Sequence, residues 1–274
     1  MRIDKYLSQK YGSRTKSADA ISCGLVFVNG KNVSPSYDVR EGDVITFAER
    51  EESYVSNGGY KLSKALKDFN VTVSGGVFAD IGASNGGFTD CLFKNGAKKV
   101  YCIDVGENQL DKSLLGKNIV IYDNCNARSL NKPMFAEILD GIVIDVSFIS
   151  LTLILDAVSE VLCDAKYVIA LIKPQFECGG VKVGKRGIVK EPAVHRRVIK
   201  KIYDFAQNCL LAPVALTNAP IREGKNKEYL IKLVKNGEAV DFAQLIKNII
   251  FLNFILYTKF KKNRKIVFCS EARS

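Results

Sequence analysis

The stretch from Asp80 to Asp90, Asp-Ile-Gly-Ala-Ser-Asn-Gly-Gly-Phe-Thr-Asp, constrains this chain more than any other. The apolar run Val77-Phe78-Ala79 leads into it and an amphipathic segment through Cys91, Leu92 and Phe93 leads out, a pattern that predicts strand, glycine turn and helix. Gly82, Gly86 and Gly87 let the backbone take positive φ and approach a ligand closely, and the start of the new helix offers unpaired N–H groups. Asp80 narrows the ligand. A carboxylate there repels a pyrophosphate, and the spacing is not G-x-G-x-x-G, which disfavours a dinucleotide. An adenosyl group with a cationic amino-acid tail suits it better. Asp104, at the end of the strand expected over Lys99 to Asp104, is placed to hydrogen-bond both hydroxyls of a ribose.

A chain of 274 residues, 47% apolar, is large enough for one big domain with a smaller one beside it. Its formal charge of +11 favours a polyanionic partner, phosphates above all. The eight cysteines form no C-x-x-C pair and several sit in apolar runs, so they read as reduced core residues of a cytoplasmic protein. The N-terminus lacks the apolar core of a signal peptide, and no uninterrupted apolar run reaches membrane-spanning length. His195 is the sole histidine, which argues against a Ser-His-Asp triad and a histidine metal cluster, and no metal is expected.

Residues 1–50 form a separate pattern. A short helix is expected over Arg2 to Lys10 with Ile3, Tyr6 and Leu7 inward, and a second over Arg14 to Ser22. A hairpin follows, Leu25 to Val28 and Lys31 to Val33 about Asn29-Gly30, and then a strand from Val44 to Ala48. Arg2, Asp4, Tyr6, Leu7, the run Ser13 to Ser17, Ala20-Ile21, Gly24-Leu25-Val26, Val28-Asn29-Gly30 and Gly42 to Ile45 resemble the small RNA-binding domain of the ribosomal S-four type. Residues 1–22 carry five basic side chains against two acids. Of these, Arg2, Lys5, Arg14 and Lys16 are the candidates for phosphate contacts, which position RNA without reading its bases.

Residues 51–60 read as a linker, in which Gly58-Gly59 serve either as a hinge or to aim a lysine set at the helix start behind them, and Lys61 to Phe69 as a helix. Strands are expected at Ile119 to Tyr122, Gly141 to Asp145, Lys166 to Leu171, Pro213 to Asn218 and Glu228 to Val234, with helical segments between the early ones. That alternation predicts a mostly parallel, doubly wound sheet. Only a short loop joins the last two strands, so they pair antiparallel at an edge.

Four polar residues fall where such a sheet presents its functional edge: Lys61, Asp145, Lys173 and Glu228. The set is similar to the Lys-Asp-Lys-Glu tetrad of ribose 2′-O-methyltransferases of the FtsJ type. Val55 to Leu62, Asp80 to Leu92, Asp104-Val105-Gly106, Asp145 to Leu151 and Lys173 to Glu177 narrow the resemblance to the TlyA family, named both as rRNA 2′-O-methyltransferases and as haemolysins. The resemblance runs from residue 2 to about residue 235. It implies an α/β, Rossmann-like class I methyltransferase fold, a seven-stranded sheet with an antiparallel edge hairpin, over residues 61–238. It implies S-adenosyl-L-methionine as cofactor, ribosomal RNA or ribosomal subunits as partner, and transfer to cytidine ribose. In that reading Lys173 stabilises the developing alkoxide or accepts its proton, Asp145 anchors the lysine, and Glu228 holds Lys173 or the ribose. Asp80, Gly82, Ser84, Gly86 and Gly87 line the methionine part, Asp104 the ribose, and the stretch with Asp123 and Asn126 faces the adenine.

Two departures stand out. Asn57 occupies a position where the family usually has Arg, and Lys225 replaces a glycine before Glu228. Residues 173–203 hold nine basic side chains, of which Lys182, Lys185 and Arg186 are candidates for gripping RNA in a loop. The tail, residues 239–274, is apolar from Phe242 to Tyr257 and basic from Lys259 to Lys265. It reads as a helix packed on the domain; membrane contact is not expected of it, although its composition makes a membrane-active cytolysin the rival function. A non-catalytic RNA-binding assembly factor is the other alternative, against which the tetrad and the glycine stretch argue.

Overall fold

A computed structural model describes residues 1–22, 26–47, 54–164, 166–179, 187–220, 225–247 and 249. The N-terminal module opens with α1 (Ile3–Tyr6), α2 (Ser8–Tyr11) and α3 (Arg14–Ser22). The single helix expected over Arg2 to Lys10 is thus two short ones meeting at Leu7. Ile3 and Leu7 are buried as expected, whereas Tyr6 is 55% exposed, because only the 3/7 face meets the small core. Strands β1 (Val26–Val28), β2 (Lys31–Asn32) and β3 (Ile45–Phe47) form an antiparallel sheet in the order β2-β1-β3. Asn29 and Gly30 turn the hairpin at φ 51° and 71°, the pair of positive values that a twisted two-residue loop requires.

The larger unit starts with α4 (Asn57–Asp68), followed by β4 (Val77–Ile81), α5 (Gly87–Lys94), β5 (Lys99–Ile103), β6 (Ile119–Tyr122), β7 (Gly141–Ile144), α6 (Leu155–Val161), β8 (Tyr167–Ile172), α7 (Pro174–Glu177), α8 (Pro192–Asn208), β9 (Leu211–Asn218) and β10 (Tyr229–Lys235). The seven strands run β6-β5-β4-β7-β8-β10-β9, parallel except for β10, which is antiparallel to both neighbours. The expected mostly parallel sheet with an antiparallel edge hairpin is therefore the one present. Pro213 sits in edge strand β9 where the register shifts opposite Lys232 and Leu233, a position that tolerates the missing N–H.

The strands alternate between two buried faces, as a period of two demands. Ala79, Ile81, Ile142, Ile144 and Ala170 join a core with α6 and α8, and Phe78, Val143, Ile169 and Leu171 join another with α4 and α5. Two connections differ from expectation. Between β5 and β6, and between β6 and β7, the described chain makes only short 3₁₀ turns, at Lys112–Leu114, Ala127–Ser129 and Lys132–Met134.

Helix α4 begins four residues before Lys61, so Gly58 and Gly59 belong to its first turn and are not a hinge. Packing explains this. A Cβ on Gly59 would overlap the Tyr54 ring, and one on Gly87 would overlap Ser56 Oγ and lie 3.2 Å from Gly58 Cα. Glycines on both helices let the starts of α4 and α5 meet at backbone distance. Helical turns at 242–247 place Leu245 and Ile246 in the buried core, with Ile249 beside them, as the expected packing of the tail requires. The rest of the tail, and Lys182, Lys185 and Arg186, lie outside the described residues. Cys91, Cys102 and Cys209 are buried free thiols, whereas Cys163 is exposed.

Candidate active site

The strand order reverses between β4 and β7, which places a crevice at the carboxyl ends of these strands. The sequence fills it accordingly. Asp80 is the next-to-last residue of β4, Asp104 and Asp145 follow β5 and β7 directly, Lys173 follows β8, and Glu228 precedes β10. Tyr229 pairs with Ile172 across the antiparallel ladder, so Glu228 and Lys173 stand one step beyond that pair on adjoining strands.

The four charged residues meet as two ion pairs. Lys173 Nζ lies 2.5 Å from Asp145 Oδ1 and donates to Ser147 Oγ at 2.8 Å, with the residue only 8% exposed. Lys61 Nζ lies 2.7 Å from Glu228 Oε2. Glu228 therefore pairs with Lys61 and not with Lys173, the first of the two roles expected of it. The reason is geometric: α4 starts early enough to bring Lys61 over the entrance to β10. The same helix start approaches the other pair, since a Cβ on Gly58 would sit 3.6 Å from Asp145 Oδ2. Asn57, Lys61, Gln175 and Glu228 line a cavity of about 200 Å³.

The glycine stretch is built around a buried acid. Asp80 is fully buried, and burial above all pushes its carboxyl up to about 7, with the nearby Asp145 and Asp104 adding to the rise and a hydrogen bond from Thr89 opposing it. Thr89 Oγ1 donates to Asp80 Oδ2 at 2.7 Å, while Oδ1 has no hydrogen-bond partner among the described residues. Gly82 turns the chain at φ 80°, and a Cβ there would come within 2.8 Å of the Asp145 carbonyl oxygen. Gly86, at φ 87°, caps α5. Ser84 also has positive φ, 47°, and its N–H donates to Asp104 Oδ2 at 2.8 Å while Gly106 N–H donates to Oδ1 at 2.7 Å. Each oxygen keeps a second acceptor site, which is what two ribose hydroxyls need. Asp123 Oδ2 accepts from Asn108 N–H, and the Asn126 side-chain oxygen accepts from Arg128 N–H to cap a 3₁₀ turn. Asn126 keeps its amide NH₂ and the second acceptor site of its oxygen to face a ligand.

Several contributors carry no distinct signal in the sequence. Thr89 and Ser147 are ordinary hydroxyl residues until the fold sets them against Asp80 and Lys173. Glu177 is buried and accepts from Leu151 N–H at 2.6 Å, Ser150 Oγ at 2.5 Å and Lys201 Nζ at 3.1 Å, tying the loop after Asp145 to α7 and α8. In the N-terminal module, Arg2 and Arg14 both bond the buried carboxylate of Asp4, at 2.8 and 3.1 Å. Their remaining N–H groups and the exposed Lys5 face outward, and the Lys16 side chain lies outside the description.

Two family descriptions match this chain, the S4 domain over residues 1–45 and the FtsJ-like methyltransferase over residues 54–235. The chain belongs to the FtsJ-like methyltransferase family. Hemolysin A of Brachyspira hyodysenteriae is 40% identical over 240 residues, covering 85% of this chain and 100% of that protein. The 16S/23S rRNA (cytidine-2′-O)-methyltransferase TlyA of Mycobacterium tuberculosis is 34% identical over 225 residues, covering 81% of this chain and 84% of that one. A solved structure of a hemolysin-named protein from Streptococcus thermophilus superimposes with a TM-score of 0.71 at 33% identity, covering 97% of this chain and 98% of that one. In this FtsJ-like chain, no described helix is long and apolar enough to cross a membrane. No cluster of metal-ligating side chains occurs among the described residues.

Proposed function

We propose that this chain is an S-adenosyl-L-methionine-dependent 2′-O-methyltransferase acting on cytidine ribose in ribosomal RNA, in the cytoplasm. The observation that carries the reading is the Lys173–Asp145 pair at the switch-point edge, beside the open oxygen of buried Asp80. Family membership and the rRNA (cytidine-2′-O)-methyltransferase name of the mycobacterial relative support the substrate. Residues 1–50 bring RNA through Lys5 and the outer faces of Arg2 and Arg14, together with Lys16. Residues 61–238, entered through the start of α4, carry out the transfer.

The residues present fit the cofactor. Asp80 Oδ1 is a buried acceptor without a partner among the described residues, as the ammonium of a methionine tail demands, and Gly82 keeps the space that a side chain would fill. Asp80, Gly82, Ser84, Gly86 and Gly87 would hold the amino-acid end, Asp104 the ribose, and Asp123 with Asn126 the base. When bound, the cofactor supplies an electrophilic methyl group on a sulfonium.

The chain's own part is to prepare the hydroxyl. A ribose hydroxyl is a weak nucleophile, and a donor placed where negative charge develops on its oxygen lowers the barrier. Lys173 is that donor, held in direction by Asp145 and Ser147. With Asp145 behind it, Lys173 can pass a proton to that carboxylate and take up the one the hydroxyl releases. The Lys61–Glu228 pair orients the ribose, Glu228 offering the oxygen not engaged by Lys61. Orientation of this kind supplies a large part of such an acceleration.

The test is nucleoside analysis of ribosomal subunit RNA after incubation with the protein and cofactor. The reading expects 2′-O-methylcytidine to appear. A methyl group on a base, or none on either subunit, would overturn it.

A further inference from the structure

Beside the tetrad lies a second cavity, of about 480 Å³, that none of the roles above employs. Its volume is in the range of small-ligand sites. Ile188, Ile199, Ile246 and Ile249 give it apolar walls, and His195 and Tyr229 are built into its lining. The two rings meet edge to face at 5.7 Å, and both imidazole nitrogens are engaged: Nε2 with the Val189 carbonyl at 2.9 Å and Nδ1 with the Tyr229 hydroxyl at 3.0 Å. A carbonyl can only accept, so Nε2 carries a proton, and in the neutral ring Nδ1 accepts from the tyrosine. That network fixes the aromatic surface in place before any ligand arrives.

The charges in the lining are of one sign. Lys190, Arg196, Lys225 and Lys227 are all exposed, and among the described residues no carboxylate lines the cavity. The hollow also adjoins the tetrad region: Lys225 lines this cavity and the smaller one that contains Lys61 and Glu228, and Tyr229 follows Glu228 in the chain. An apolar, aromatic interior with four exposed cations around it matches a nucleobase inside and phosphates outside.

We propose that this cavity receives one nucleotide of the RNA strand, a neighbour of the one whose ribose is methylated, with its base among the isoleucines and its flanking phosphates on the four cations. The inference rests on the proposed function, since it places that strand. A nucleotide anchored here fixes the register of the strand over Lys61 and Glu228 and so contributes to the choice of site.

Two measurements test it. Subunit RNA substituted with 4-thiouridine is irradiated on the intact protein and the crosslinked peptides are mapped; crosslinks within residues 188–199 are expected, and their loss in Ile246→Trp, which fills the hollow. In steady-state transfer, the surface variant Lys190→Ala/Arg196→Ala should raise KM for the subunit about tenfold, with kcat and cofactor affinity within about twofold of wild type. Crosslinks confined to other peptides, together with an unchanged KM, overturn the proposal; a cavity occupied by another part of the chain gives that result. RNA that crosslinks within 188–199 but gains no methyl group would support the nucleotide site while overturning the proposed function, so the two can fail separately.

Discussion

Asp80 shows how far a single position can be read from its neighbours. The sequence marks it as an acid at a glycine turn, and its distaste for pyrophosphate follows from charge alone. Complete burial, and the hydrogen bonding from Thr89 that serves one of its two oxygens, come only from the packing of α5 on β4. The consequence is a pH dependence. Raised to about 7 by burial, the carboxyl is neutral in the free protein at lower pH and must ionise to receive an ammonium. Cofactor affinity should therefore climb as pH rises from about 5 and level off above about 7, with a proton released on binding near pH 6. Isothermal calorimetry in buffers of different ionisation enthalpy measures both, and Asp80→Asn should abolish the dependence. The sign for stability is opposite: a carboxyl raised above its unfolded value favours the fold at low pH, and that contribution is lost as pH rises through about 7. Lys173 belongs with Asp80. Lys173→Ala should lower kcat by about 10²- to 10⁴-fold and leave cofactor affinity within a few-fold, measured by single-turnover transfer and calorimetry. Arg14 behaves differently. The sequence offers it as a phosphate contact, yet one of its nitrogens serves Asp4, so Arg14→Ala should cost about 1–2 kcal/mol of stability as well as RNA affinity, seen in thermal unfolding.

The strand ends were legible because buried parallel strands are short apolar runs bounded by polar residues, and Asp104, Asp145 and Lys173 stand at those bounds. The start of α4 was not. Gly58-Gly59 has poor helix propensity, and only contact with Gly87 and Tyr54 makes a first helical turn there favourable, an override that no local pattern reveals. The same override decides which lysine Glu228 meets, so the pairing in the tetrad escaped the sequence although its four members did not. Gly82 offers a sharper test of the loop. Gly82→Ala places a side chain at φ 80° and 2.8 Å from the Asp145 carbonyl, which should cost about 1–3 kcal/mol. Because that carbonyl belongs to the residue paired with Lys173, transfer should fall more than melting temperature alone explains. Activity assays at a temperature where the variant is fully folded separate the two effects.

The division of labour was visible in composition, since the small N-terminal module and the large sheet each carry their own hydrophobic period and their own core. Function at this level combines an electrostatic grip with a chemical edge. Binding of the chain to subunit RNA should weaken steeply with salt, and Lys5→Ala with Lys16→Ala should reduce the slope of log affinity against log salt by about 1–2 without altering cofactor binding. The central question is whether the Lys173–Asp145 edge moves a methyl group to a ribose oxygen. Transfer from methyl-labelled S-adenosyl-L-methionine to separated ribosomal subunits, wild type against Asp145→Ala, answers it. Label in RNA that survives alkaline hydrolysis as a 2′-O-methyl dinucleotide, and that vanishes in the variant, is the predicted result. Label that enters RNA equally with Asp145→Ala, or that is absent from subunit RNA while the cofactor binds, would contradict it.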